Sequence, residues 1–126
     1  MRLLLDTNAL LWILMAPDRL RKTTAEAIRS EESEVWASVV SPWEFAIKAS
    51  HGKLRAPDDL SVRLDLARVS LLPISLRHAD AVASLPHHHR DPFDRMLVAQ
   101  AQVEGLTLVT SDRELARYQV ALLPAL

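Results

Sequence analysis

The chain has 126 residues, of which 49% are hydrophobic and 25% are charged. This composition is typical of a globular protein rather than a disordered one, and we expect residues 1–126 to form a single domain. The chain contains no cysteine, which excludes disulfides, thiolate catalysis and a cysteine-ligated zinc site. A net charge of −1 provides no overall basic field, so any contact with nucleic acid must come from a local patch.

The first seventeen residues, MRLLLDTNALLWILMAP, have the basic start and apolar run of a secretory signal. Asp6 and Asn8 interrupt the run, and the uninterrupted part, Ala9–Ala16, is far too short to cross a bilayer. We therefore expect a soluble, cytoplasmic protein that is not exported and has no membrane partner.

Strands and helices are predicted to alternate along the chain. In chain order they are a strand at Leu3–Leu5, helices at Ala9–Ala16 and Arg19–Ser30, a strand at Val35–Ala37, helices at Trp43–His51 and Leu60–Arg68, a strand at Leu71–Ile74, helices at Leu76–Leu85 and Asp94–Glu104, a strand at Thr107–Val109, a helix at Arg113–Tyr118 and a strand at Val120–Leu123. The strands are short and apolar throughout, as in sheets that are covered on both faces. We predict an α/β fold, a three-layer α/β/α sandwich around a mostly parallel sheet.

Two similar motifs, SPWE (41–44) and DPFD (91–94), are predicted to begin helices. Ser41 and Asp91 are favourable N-cap residues, and the proline after each would be the first helical residue. Glu44 and Asp94 would then occupy the third helical position, where a carboxylate is stabilised by the helix dipole. On this interpretation alone, the motifs only start helices.

Four acids are predicted near the carboxyl ends of the strands, where ligands of parallel sheets bind: Asp6, Glu44, Asp94 and Asp112. Carboxylates crowded together raise one another's pKa values and destabilise the fold unless a cation intervenes. Oxygen ligands favour a hard divalent cation such as Mg2+ or Mn2+. The pattern therefore indicates a phosphoryl-transfer or nuclease site.

The ordered motifs LLLDTN, SPWE, DPFDRMLVAQA and LTLVTSD resemble those of PIN-domain ribonucleases, specifically VapC-type toxins of toxin–antitoxin pairs. The resemblance extends over the whole chain, including the YQV that follows TSDRELAR. It implies a metal-dependent endoribonuclease with a PIN-like fold, an RNA substrate, a cognate antitoxin partner and a homodimeric state. It also implies that the acids at the matching positions bind Mg2+ or Mn2+ and are catalytic; these are Asp6, Glu44, Asp94 and Asp112.

Several nearby residues are candidates for supporting roles. Asn8, Thr110 and Ser111 could orient carboxylates or waters, or simply form turns at strand ends. Asp91 is expected mainly as an N-cap, with direct metal ligation or support of Asp94 as the alternative.

The basic residues beside the DPFD motif are candidates for contact with the RNA backbone. They are His89, Arg90 and Arg95, with a solvated loop and a surface ion pair as the alternative interpretations. The apolar surroundings of Trp12, Trp43 and Phe93 favour core positions, although an exposed one could stack on a base. The apolar segment ALLWILMA could form a dimer interface, an antitoxin groove or simply core.

Three other functions remain open at this point. A receiver domain has the same architecture and an acidic Mg2+ pocket, but needs a lysine near the last strand, and this chain has no lysine after Lys53. A metal-independent ribonuclease could use two histidines, for which His51, His78 and the run at 87–89 are available. A catalytically silent PIN-like domain could use the acids to bind a basic partner, or could bind RNA.

Overall fold

The computed structural model describes residues 1–126 and contains a single five-stranded sheet. The strands are β1 (Arg2–Leu5), β2 (Glu34–Ser38), β3 (Val69–Leu72), β4 (Thr107–Thr110) and β5 (Leu122–Pro124). They run in the order β3-β2-β1-β4-β5, and every pairing is parallel. The predicted three-layer α/β/α architecture is confirmed, with a sheet that is entirely parallel.

Six α-helices connect the strands: α1 (Thr7–Met15), α2 (Lys22–Arg29), α3 (Val40–Ser50), α4 (Leu60–Leu66), α5 (Leu76–Ser84) and α6 (Pro92–Glu104). Short 3-10 helices form at Pro17–Arg19 and Arg113–Arg117. No helix in the structure has the length and apolar character needed to span a membrane.

Three predicted boundaries are corrected by the structure. The helix predicted at Arg19–Ser30 begins only at Lys22, because Pro17–Arg19 forms a separate 3-10 turn and Leu20 is extended. The helix predicted at Arg113–Tyr118 is a 3-10 helix that ends at Arg117. Strand β3 lies two residues earlier than predicted and ends before Pro73, which has no N–H to donate to a neighbouring strand.

Two apolar clusters lie on opposite faces of the sheet. Because side chains alternate along a strand, Leu3 and Leu5 of β1 belong to one cluster and Leu4 to the other. The first cluster also receives buried residues from α1, α2, α3 and α4, and the second from α6 and the segment after β4. Both faces of the sheet are therefore covered, which explains why its central strands are continuously apolar.

Strand β1 lies at the centre of the sheet, and later strands are added on both sides of it. Strands β2 and β3 follow on one side of β1, and β4 and β5 lie on the other. In open parallel sheets such a reversal of strand order leaves a crevice at the carboxyl ends of the strands, where ligands bind. Asp6 directly follows β1, and Asp112 lies two residues beyond β4.

Candidate active site at the carboxyl edge of the sheet

Four acids reach this edge from four different elements. Asp6 is the N-cap of α1, Glu44 lies within α3, Asp94 lies in the first turn of α6 and Asp112 caps the 3-10 helix after β4. The charges of Glu44 and Asp112 both act on Asp6, and those of Asp6 and Asp112 act on Asp94. Asp6, Asp94 and Asp112 therefore lie within electrostatic range of one another, and Glu44 lies within range of Asp6.

Asp6 is a buried carboxylate with a raised pKa. Burial is the largest cause of the shift, and the charges of Glu44 and Asp112 raise the pKa further. Hydrogen bonds from the Thr110 side chain and from the Ala9 N–H, at 2.7 Å, act in the opposite direction. Desolvation rather than crowding is therefore the main electrostatic cost at Asp6.

Helix α3 does not begin as the SPWE motif predicts. It starts at Val40, and its N-cap, Val39, makes no side-chain capping hydrogen bond. The Ser38 hydroxyl instead accepts the Val40 N–H at 3.0 Å, while Ser41 is buried within the first turn, 3.0 Å from the Thr7 hydroxyl. The predicted N-cap at Ser41, and with it the third-position role of Glu44, is wrong.

Glu44 has its own polar partners. The Thr7 hydroxyl donates to one carboxylate oxygen at 2.8 Å, and Lys48 Nζ lies 2.7 Å from the other. Sequence reasoning missed Lys48, although its i,i+4 spacing from an acid is the usual signal for a helical ion pair. The negative charge of Glu44 is therefore already partly compensated within the chain.

Helix α6 begins as predicted from the DPFD motif. Asp91 is the N-cap, and its Oδ1 accepts from the N–H groups of Phe93 at 2.8 Å and Asp94 at 3.3 Å. The pKa of Asp94 is raised to about 7, first by burial and then by the charge of Asp91. The helix start thus holds Asp94 in place beside a second carboxylate.

His89 contacts two of the four acids. Its Nε2 lies 2.8 Å from Asp112 Oδ2 and 3.5 Å from Asp94 Oδ2. One potential ligand atom from each of these three side chains lies within 4.8 Å of the other two. Nothing in the run of three consecutive histidines indicates which of them faces the acids.

Of the predicted supporting residues, Thr110 has the most direct contacts. Its hydroxyl accepts the Asp112 N–H at 3.0 Å, and its side chain acts to lower the pKa of Asp6. Ser111 is partly buried beside it, and Asn8 is exposed.

The two arginines predicted to contact RNA occupy different environments. Arg90 is exposed. Arg95 is buried, and its guanidinium donates to the carbonyl of Pro86 at 2.8 Å, the carbonyl of Val82 at 3.2 Å and the hydroxyl of Tyr118 at 3.3 Å. These bonds assign Arg95 a structural role in holding the loop before α6, rather than the exposed position that backbone contact with RNA requires.

The aromatic residues divide between core and surface. Trp12 is buried as expected, but Trp43 is 58% exposed, so its predicted core position is wrong. Trp43 packs edge-to-face on Phe93, with ring centroids 5.2 Å apart. These two residues immediately precede Glu44 and Asp94, so an apolar surface adjoins the acids.

The histidines proposed for metal-independent chemistry are not brought together. His78 is 2% exposed; its Nδ1 accepts the Ser75 N–H at 3.0 Å and lies 3.4 Å from the Gln100 amide. His51 is exposed at the end of α3. Neither residue has the partner that acid–base catalysis by two histidines requires.

The donor set of the crevice suits a hard divalent cation. Asp6, Asp94 and Asp112 supply carboxylate oxygens, and burial raises the pKa of both Asp6 and Asp94. Oxygen ligands are those preferred by Mg2+ and Mn2+. A cation here would offset the desolvation of these carboxylates, so the residues present fit such an ion.

Comparison with known proteins identifies relatives of this fold. The model of the PIN domain family matches residues 3–121, whereas no match was found among curated protein sequences. The structure is similar to VapBC2 of Rickettsia felis bound to a promoter DNA fragment, with a TM-score of 0.75, 17% identity and 99% of each chain covered. It is also similar to DNA-bound VapBC of Salmonella typhimurium, with a TM-score of 0.71, 21% identity and 98% of each chain covered.

The raised pKa of Asp94 predicts how stability depends on pH in the absence of metal. Between its ordinary value of 3.8 and the folded value of about 7, the folded chain holds a proton that the unfolded chain has lost. The free energy of unfolding should therefore fall as the pH rises through this range. Asp94→Asn should flatten this dependence and stabilise the protein at pH 8 by about 2 kcal/mol, which allows for partial solvent screening.

The measurement is urea unfolding in EDTA at several pH values between 4 and 8. Asp80, an exposed acid on α5, provides the matched control, since Asp80→Asn should leave the pH dependence unchanged. A parent protein whose stability increased from pH 5 to pH 8 would contradict the prediction.

Proposed function

Since the chain belongs to the PIN domain family, we propose that it is a metal-dependent endoribonuclease and the toxin of a toxin–antitoxin pair. It uses Mg2+ or Mn2+, residues 1–126 act as one domain, and its RNA substrate places it in the cytoplasm. The observation that carries the proposal is the convergence of Asp6, Glu44, Asp94 and Asp112 from four elements on one sheet edge, where burial raises the pKa of two of them.

The acids have distinct parts in this proposal. Asp6, Asp94 and Asp112 hold the cation with carboxylate oxygens, and Glu44 contributes directly or through water. A divalent cation bound there supplies a nucleophilic water and stabilises the charge that develops on the phosphate. In-line attack on the phosphorus breaks the bond to the 3′-oxygen and leaves a 5′-phosphate and a 3′-hydroxyl.

Other residues of the chain position these groups. Thr7 and Lys48 fix the two oxygens of Glu44, and the Thr110 hydroxyl holds the backbone N–H of Asp112. Asp91 supports Asp94 through the backbone of α6, because its Oδ1 accepts the N–H groups of Phe93 and Asp94. Arg90, which is exposed beside the crevice, is the residue we propose for contact with the RNA backbone.

The nuclease proposal predicts metal-dependent cleavage of labelled RNA. The purified, antitoxin-free chain should cleave in Mg2+ or Mn2+ and lose this activity in EDTA. Asp94→Asn is nearly isosteric but removes the charge, and it should reduce the cleavage rate about 100-fold or more, since even substitutions around metal ligands cost about 10- to 100-fold. The readout is the rate of product formation on a denaturing gel.

Asp80→Asn is again the matched control and should cleave like the parent chain. Loss of cleavage in Asp94→Asn, prepared in the same way, excludes a contaminating ribonuclease. Cleavage that persists in EDTA would instead support a metal-independent ribonuclease that uses histidines. RNA binding without turnover, in the parent and in Asp94→Asn alike, would favour the catalytically silent alternative.

We assign the antitoxin to a groove between α1, α2 and α4. It has a volume of about 330 Å³ and is lined by Ile13, Leu14, Ile28, Leu66 and Ala67, with Arg29, Arg63 and Arg68 contributing positive charge. An apolar groove with a basic rim fits an amphipathic helix that carries acidic residues beside its apolar face. This location agrees with the surplus of apolar residues in the α1 segment.

The groove predicts a selective effect of a charge placed within it. Leu66 is 80% exposed, and Leu66→Asp should weaken binding of the cognate antitoxin at least about 10-fold, because it removes an apolar contact and repels the acidic residues of the bound helix. The measurement is the dissociation constant of the purified complex. Leu76, which is 77% exposed on α5, provides the control, and an equal loss in Leu76→Asp would contradict this location.

We assign the homodimer interface to the apolar hollow between α3, α5 and α6. Its lining includes Val40, Trp43, Ile74, Phe93 and Met96, and Trp43 and Ile74 are among the exposed large apolar residues of the chain. Apolar residues clustered and exposed in this way are typical of protein interfaces.

This interface predicts the effect of Ile74→Asp on mass in solution. Light scattering of the antitoxin-free chain should give the mass of two chains, and Ile74→Asp should reduce it to one chain at low micromolar concentration, because a desolvated carboxylate opposes association. Val62→Asp, an exposed position on α4, should remain dimeric. A monomeric parent chain would contradict the assignment.

A further inference from the structure

His89 is held by three hydrogen bonds that involve its backbone and both ring nitrogens. Its N–H donates to the Tyr118 hydroxyl at 3.0 Å. Its ring Nδ1 accepts the Asp91 N–H at 3.0 Å, and its Nε2 lies 2.8 Å from Asp112 Oδ2. The ring therefore has a fixed orientation between the start of α6 and the segment after β4.

The contact at Nδ1 determines the state of the ring. A nitrogen that accepts a backbone N–H must carry a lone pair and not a proton. With Nδ1 accepting from Asp91, Nε2 is the ring nitrogen that faces Asp112 Oδ2, and it is the donor in that contact. In this state Nε2 has no lone pair available for a metal ion.

We propose that His89 is a positioning residue of the acid site, which acts by donating Nε2–H to Asp112 and holding that carboxylate beside Asp94. It acts through the acids and is not itself a metal ligand. This inference rests on the proposed metal-dependent function of the same crevice.

The surroundings of His89 make this contact rigid. The Tyr118 hydroxyl oxygen that accepts the His89 N–H also accepts a hydrogen bond from the guanidinium of buried Arg95 at 3.3 Å. Asp91, whose N–H fixes the ring, is the N-cap that positions Asp94. The donor and both carboxylates are thus held by one connected set of hydrogen bonds, which is what prepares a site for a cation before it binds.

The first test measures the protonation of the ring directly. Nitrogen-15 NMR of the His89 ring in the metal-free protein near neutral pH distinguishes a protonated from an unprotonated nitrogen, with His89→Gln used to assign the signals. We expect the proton on Nε2 and none on Nδ1. A proton on Nδ1, whether in the other neutral form or in a doubly protonated ring, would overturn the proposal.

The second test measures Mn2+ affinity by calorimetry without RNA. His89→Leu, which removes the donor, should weaken binding about 10-fold, whereas His89→Gln, which retains an N–H donor, should stay within about 3-fold of the parent. His87 is exposed in the same loop, and His87→Leu should bind like the parent. Thermal unfolding in EDTA verifies that each variant is folded.

Unchanged or tighter Mn2+ binding by His89→Leu would overturn the proposal, as would pulsed EPR detection of an imidazole nitrogen directly bound to Mn2+ in the parent. Both tests are independent of cleavage, so they separate the two proposals. If the tautomer and the Mn2+ affinities are as expected but the chain cleaves no RNA, the proposed role of His89 would stand and the proposed nuclease function would be rejected. Failure of the parent to bind Mn2+ would overturn both.

Discussion

Burying several carboxylates at one edge of the sheet costs free energy, because their negative charge is removed from water. A parallel sheet covered on both faces gathers the ends of its strands at a common edge, so carboxylates that follow the strands are brought together and partly buried. Burial is accordingly the first cause of the raised pKa at both Asp6 and Asp94. The surrounding elements compensate with helix N-termini at Asp6 and Asp94, a lysine at Glu44 and an imidazole at Asp112.

Much of the architecture could be predicted because it depends on local patterns. Apolar runs located β1 and β4, and the DPFD motif located the start of α6, because capping is a matter of a few adjacent residues. The similar SPWE motif failed because Ser38, at the end of β2, accepts the Val40 N–H, and the N-cap of α3 lies two residues earlier than predicted. Which of two possible residues caps the helix depends on where the preceding strand ends. The sequence pattern does not locate the end of that strand to within one or two residues.

The acids of the crevice could be predicted for a similar reason. Asp6 directly follows β1 and Asp112 lies two residues beyond β4, and the rule for parallel sheets places such residues at one edge. The contacts of His89 and Tyr118 could not be predicted, because they join a loop to a 3-10 segment 29 residues later in the chain. Pairings of this kind depend on how the chain closes in three dimensions, and a run of identical histidines gives no means of choosing among them.

The bonds of Arg95 impose a restriction on the length of the chain. Its guanidinium binds carbonyls at the end of α5 and in the loop that follows, while its own backbone belongs to α6. The length of the connection at residues 85–91 is therefore constrained by the hydrogen bonds of the Arg95 side chain. Inserting or deleting a residue would displace the ring of His89 from the carboxylates even if every helix and strand remained intact. Homologous chains that preserve this buried arginine should thus vary in the composition of the loop but not in its length.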